Sequence, residues 1–91
     1  MAVTVRVPTP LRRVAGGKRD VSAEGANVSA IIEDLERQYP GFKERLVDET
    51  GDLRRFINIY INGEDIRYAQ GIETPLKPGD EMSIIPAVSG G

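Results

Sequence analysis

RFINIYING, residues 55–63, reads as a strand running into a turn. Ile57, Ile59 and Ile61 share one parity and Phe56, Asn58 and Tyr60 the other. Successive strand side chains point to opposite faces, so the isoleucines are expected to meet a core and the alternate set the far side. Asn62-Gly63 follows at once, a pair that tolerates the positive φ angles of a tight hairpin, and leads into EDIRY around Ile66.

Working outward, LKPGDEMSIIP (76–86) repeats the pattern: Pro78-Gly79-Asp80 turns the chain, then Met82 and Ile84 alternate with Ser83 and Ile85. Pro86 has no amide hydrogen and is expected to end that ladder. At the other terminus Val3, Val5 and Val7 alternate with Thr4 and Arg6 until Pro8 and Pro10 intervene. KRDVSA is expected to return as a second strand around Val21, after a long loop through Gly16 and Gly17. Between these pairs, Asn27 is a candidate helix N-cap, and Val28, Ile31, Ile32, Leu35 and Tyr39 follow at spacings of three and four. Pro40 and Gly41 stop that helix, and Phe42 to Leu46 can add a short helical turn before the acidic loop DETGD. The order strand, strand, helix, strand, short strand, strand leaves one amphipathic helix and one sheet to cover it, an α+β two-layer roll.

Composition narrows the function. A single domain of 91 residues has little room for a deep pocket. No cysteine and no histidine are present, which removes the usual zinc and iron-sulfur ligands, the commonest general base and any disulfide. Charges of both signs are interleaved around a net charge of −2, so no nucleic-acid footprint is indicated. MAVTVRVP has no leader-like apolar run and nothing approaches a membrane span, making the cytoplasm the expected compartment.

Few motifs carry chemistry. Gly16-Gly17-Lys18 lacks the rest of a phosphate loop, with Arg12 and Arg19 where a Gly and a Ser or Thr would stand, and reads as a hairpin loop. The carboxylate pairs Glu33 and Glu36, and Asp48 and Glu49, are expected to be solvated on a helix face and in a loop. Nothing assembles a catalytic constellation, and no metal site or bound cofactor is expected. What remains is the end, Gly90-Gly91. Glycines have no Cβ and no reactive side chain, so such an end offers only its α-carboxylate, and a bare backbone can pass through a narrow channel to reacting groups. A carboxylate is an anion at neutral pH and resists attack until an outside agent activates it. Residues 1–86 are therefore expected to form the domain and residues 87–91 a reaching tail, with Ala87, Val88 and Ser89 ahead of the glycines.

The segments VTVRVPTPLRR, RRFINIYINGEDIRY and GDEMSIIPAVSGG, covering essentially the whole chain, resemble the ubiquitin-like sulfur carriers of the ThiS/MoaD family. The resemblance implies a β-grasp fold with the first and last strands parallel at the centre of the sheet. It also implies that an E1-like enzyme uses ATP to adenylate Gly91, with Gly90 as its required neighbour, and that sulfur transfer turns the carboxylate into a thiocarboxylate. RRFINIYINGEDIRY and IPAVSGG look most like the carriers that serve cysteine biosynthesis. There a PLP-dependent cysteine synthase is the recipient, and a zinc peptidase releases the product. A small apolar residue often stands at the position of Ser89, a departure that bears on which recipient is used. The chain would then be a substrate and handle, not an enzyme.

Phe56, Tyr60 and Ile85 lie on the parity opposite the core and are expected to form a partner-docking patch beside the tail, unless the loop from Asp48 to Arg55 folds over it. Arg54 and Arg55 are candidates for pairing with an acidic partner surface. Three other roles fit the same residues: the small subunit of a molybdopterin synthase, a protein modifier conjugated to lysines, and an adaptor that uses only its sheet.

Overall fold

The computed structural model describes residues 2–86, so the expected division at residue 87 and the tail residues Ala87 to Gly91 lie outside the described part. Five strands, β1 (Val3–Arg6), β2 (Asp20–Ala23), β3 (Ile57–Ile61), β4 (Glu64–Asp65) and β5 (Glu81–Pro86), form one mixed sheet in the order β2-β1-β5-β3-β4. β1 and β5 run parallel at the centre, with Val5 opposite Met82, and the other pairs are antiparallel. Helix α1 (Val28–Gln38) covers one face, and a single turn, α2 (Lys43–Leu46), follows it.

Each element follows from local chemistry. The Asn27 side-chain oxygen accepts from the Ala30 amide at 2.8 Å, the N-cap that starts α1. Asn62 and Gly63, at φ 50° and 90°, make the tight turn between β3 and β4. Beyond Asp65 the chain leaves the sheet, and Ile66 is buried in a short 3-10 turn rather than in a longer strand.

α1 places Val28, Ile31, Ile32 and Leu35 against the inner face of the sheet, where Val3, Val5, Val21, Ile57, Ile59, Met82 and Ile84 are all buried. This is the parity expected for the valines and isoleucines. The connection from β1 to β2 is more than a loop: it contains a 3-10 turn at Thr9–Leu11 and buries Leu11 and Ala15 under one end of the core. At Gly25 the chain passes so close to α1 that a Cβ would sit 2.7 Å from that of Ala30, which only glycine permits.

Two carboxylates expected to be merely solvated hold the helical layer together. Glu36 accepts from the backbone N–H of Lys43 at 2.9 Å and of Gly41 at 3.1 Å, bonds that satisfy orphan amides at the start of α2 and hold Glu36 below the ordinary carboxylate range. Asp48 accepts from the Thr50 hydroxyl at 2.6 Å and from the Thr50 and Asp52 amides, and is likewise lowered. Asp34, from the same helix, is buried; it accepts from the Glu24 amide at 3.0 Å and the Gln38 side chain at 2.9 Å, and pairs with Arg37. Gln38 also donates to the Ser22 carbonyl at 3.0 Å, so this cluster fastens α1 to the β2 edge.

Candidate functional site

β5 is the strand that precedes the glycines in the chain, and Pro86 at its end is the last described residue. Paired with β1 only through Ser83 and with β3 as far as Pro86, it emerges from the middle of the sheet with one flank free over its last residues. Pro86 is the last strand residue, opposite Ile57, and ends the ladder as expected. The reason lies in the alternation of antiparallel hydrogen bonds. Asn62 donates to the Glu81 carbonyl at 2.9 Å, so the pairs bonded to β3 involve Ser83 and Ile85, and residue 86 falls where no amide is needed. The Ile57 amide is satisfied instead by the Arg54 carbonyl at 3.0 Å.

Ile85 lies opposite Asn58 and so is diagonal to Phe56 and Tyr60 on the outer face. Phe56 and Ile85 are 50% and 46% exposed, unusual values for large apolar side chains in so small a core, whereas Tyr60 is half-buried opposite Ser83 and Asp65. The alternative in which residues 48–55 cover this patch does not occur. That loop turns back on the helical layer: Arg54 donates from its amide to Leu46 and from Nε to the Glu44 carbonyl, and Val47 bridges Leu53. Around the patch the outer face is polar. Arg67 reaches Asn58 and pairs with Asp65, and Arg6 pairs with Glu81 at 2.8 Å, whose carboxylate raises the arginine further. Both partners of the Arg6 pair are exposed, so it adds little stability.

Two features here escaped the sequence. Tyr68, 92% exposed, stands on the 3-10 turn after β4, where a two-residue strand leaves no periodicity to reveal its direction. A groove of about 420 Å³ opens where β5 ends, floored by Pro10, Leu11, Phe56, Ile57 and Pro86. Its floor joins three segments 29 to 76 positions apart in the chain, so no local motif marks it. Lys18 and the two preceding glycines, Gly16 and Gly17, both at positive φ, form part of the connection between β1 and β2, in keeping with the hairpin-loop reading. Among the described residues no group of three carboxylates could hold a metal ion.

Comparison with known proteins agrees with this geometry. The sequence is 50% identical to the sulfur carrier protein CysO of Mycobacterium tuberculosis over the full length of both chains. The fold superposes on CysO from the Amycolatopsis orientalis BexX/CysO complex with a TM-score of 0.93 at 51% identity, covering 99% of this chain and 100% of that one. Small archaeal modifier protein 1 from Methanosarcina acetivorans gives a TM-score of 0.83 at 38% identity, covering 99% and 96%. The sheet, its central parallel pair and its single main helix are thus those of a β-grasp roll. The ThiS family profile matches residues 5–91, from the first strand through the terminal glycines, and the chain belongs to that family.

Proposed function

We propose that this chain is a sulfur carrier, the protein substrate of partner enzymes rather than a catalyst, and that Gly91 carries the sulfur. The observation that supports it most is identity at half of all positions, over the whole length, with a named sulfur carrier. A strand leading out of the centre of the sheet toward Gly90 and Gly91 supports it independently. In this reading an E1-like enzyme lets a Gly91 carboxylate oxygen attack the α-phosphate of ATP, releasing pyrophosphate. A sulfur nucleophile then displaces AMP, and the product is a thiocarboxylate. With no cysteine in the chain, no side-chain thiol can relay the sulfur. The recipient we propose is a PLP-dependent cysteine synthase-like enzyme, with a zinc peptidase to free the new amino acid. The proposed compartment is the cytoplasm; among the described residues no helix is long and apolar enough to cross a membrane.

Phe56, Ile85 and Tyr60 serve in this reading as the docking patch, and Ala87, Val88 and Ser89 span the channel to the active site. Intact-mass measurement of the protein from its host tests the reading: one terminal oxygen exchanged for sulfur is expected. Free acid alone, after incubation with the activating enzyme, ATP and a sulfur donor, overturns it. A second reading, as a protein modifier, is favoured by the likeness to a small archaeal modifier protein. It predicts a ladder of heavier conjugates on denaturing gels of host lysate, lost when Gly90 and Gly91 are deleted.

A further inference from the structure

The groove at the end of β5 has a charged rim. Arg45 and Arg54 line it, Arg55 stands exposed between Arg54 and Phe56, and Arg12 and Arg13 follow directly on the Leu11 of its floor. These five arginines come from three separate segments: the connection after β1, helix α2, and the approach to β3. Among the described residues none of the five forms an ion pair, whereas Arg6, Arg37, Lys43 and Arg67 each meet a carboxylate. Two of them are nonetheless held in place. Arg12 donates from Nε to the Val7 carbonyl at 3.1 Å, and Arg54 from Nε to the Glu44 carbonyl at 2.8 Å, bonds that aim each guanidinium without neutralising it. Carboxylates gather on one side: Glu44 shares the groove lining, and Arg54 also lines a neighbouring pocket with Glu33, Glu36, Asp48 and Glu49, where the Asp48 carboxylate feels its charge.

We propose that this arginine collar docks against an acidic protein surface bordering the active site of the activating, adenylating enzyme. The inference rests on the carrier reading and adds to it the chemistry of the partner. A molecule of net charge −2 is repelled as a whole by an acidic enzyme. Five arginines on the segments around the groove, none of them in an ion pair among the described residues, reverse that interaction locally, so encounter is favoured with the tail-bearing end foremost. Bidentate guanidinium groups suit carboxylates, and the apolar floor between them suits a protein surface. A phosphate backbone fits less well, because Glu44 interrupts the rim and the remaining surface is acidic.

The test measures pyrophosphate release by the host's own activating enzyme as a function of carrier and salt concentration. Arg45→Glu with Arg55→Glu alters two exposed side chains that make no hydrogen bond among the described residues. This variant is expected to lose about tenfold in kcat/KM at low salt with kcat nearly unchanged, and to flatten the salt dependence of kcat/KM. Arg45→Gln with Arg55→Gln should lose an intermediate amount, which keeps the test decisive if the glutamates disturb folding. Lys77→Glu, at the opposite pole beside the turn that precedes β5, should stay within about twofold of wild type. Unchanged kcat/KM in the collar variants, or an equal loss in Lys77→Glu, overturns the collar while leaving the carrier reading intact. So does binding of bulk transfer RNA that the collar variants lose while enzyme turnover stays constant. A wild-type protein that the enzyme does not adenylate overturns the carrier reading, and the collar with it.

Discussion

The two faces of the central strands are built from interleaved residues, yet they answer to different demands. Inward, Val3, Val5, Ile57, Ile59, Met82 and Ile84 are at most 4% exposed, packed under α1. Outward, one residue along in each strand, stand Thr4, Arg6, Asn58, Tyr60, Ser83 and Ile85, and two large apolar groups, Phe56 and Ile85, remain about half exposed. Apolar burial supplies most of the folding free energy, so the inner face determines whether the domain exists. The outer face gains little from folding, which leaves its residues available for contact with another molecule.

This contrast can be tested by removing side chains from each face in turn. Ile59→Ala, at the fully buried centre of β3, should cost about 2–5 kcal/mol, measured by urea denaturation. A cost below about 1 kcal/mol would mean that the inner face is not the main stabilising layer. Asp34→Ala comes next, because it strands the Glu24 amide and frees the Gln38 side chain that tie α1 to the β2 edge. Its expected cost is about 1–3 kcal/mol by the same measurement. Phe56→Ala with Ile85→Ala should shift stability by only about 0.5 kcal/mol while slowing activation by the E1-like enzyme about tenfold. Normal activation kinetics in that double variant would remove the docking role from the outer face.

The smallest effect concerns pH. Glu36, Asp48 and Asp80 all lie below their ordinary values of 4.5, 3.8 and 3.8, in each case mainly through hydrogen bonds: from the Lys43 amide, the Thr50 hydroxyl and the Lys77 amide. Because the folded state holds these groups ionised, their contribution is complete above the unfolded values and is lost as pH falls through the folded ones. With no histidine or cysteine to titrate near neutrality, the urea midpoint should be level between about pH 5.5 and 8 and decline below about pH 4.5. A step near pH 6.5 would mean that some other group governs acid stability.

How far the sequence could be read depended on the range of each interaction. β3 and α1 were legible because their periods of two and 3.6 survive in the residues themselves, and the Asn27 cap and the Asn62-Gly63 turn are likewise local. Pro86 was read correctly as the end of pairing from its missing amide hydrogen, though that it sits at a position of β5 needing no amide depends on register. Glu36 and Asp48 resembled ordinary surface acids, and their partners lie in the next turn or loop, where only the folded backbone presents the amides. Arg54 and Arg55 were read as candidates for an acidic partner, but the groove, and its meeting with Arg45 and the segment after Leu11, is assembled from three distant segments and left no sequence signal.

By itself the sequence determined an α+β roll with one amphipathic helix and excluded thiol and imidazole chemistry, because hydrophobic period, turn residues and composition are properties of neighbouring positions. Only the tertiary structure decided that β5 lies between β1 and β3 and that the loop after α2 leaves Phe56 and Ile85 open. It also decided that Arg45 and Arg54 line the groove where β5 ends. Those outcomes depend on strand order and packing between residues far apart in the chain, which become neighbours only when the apolar face of α1 closes on the sheet.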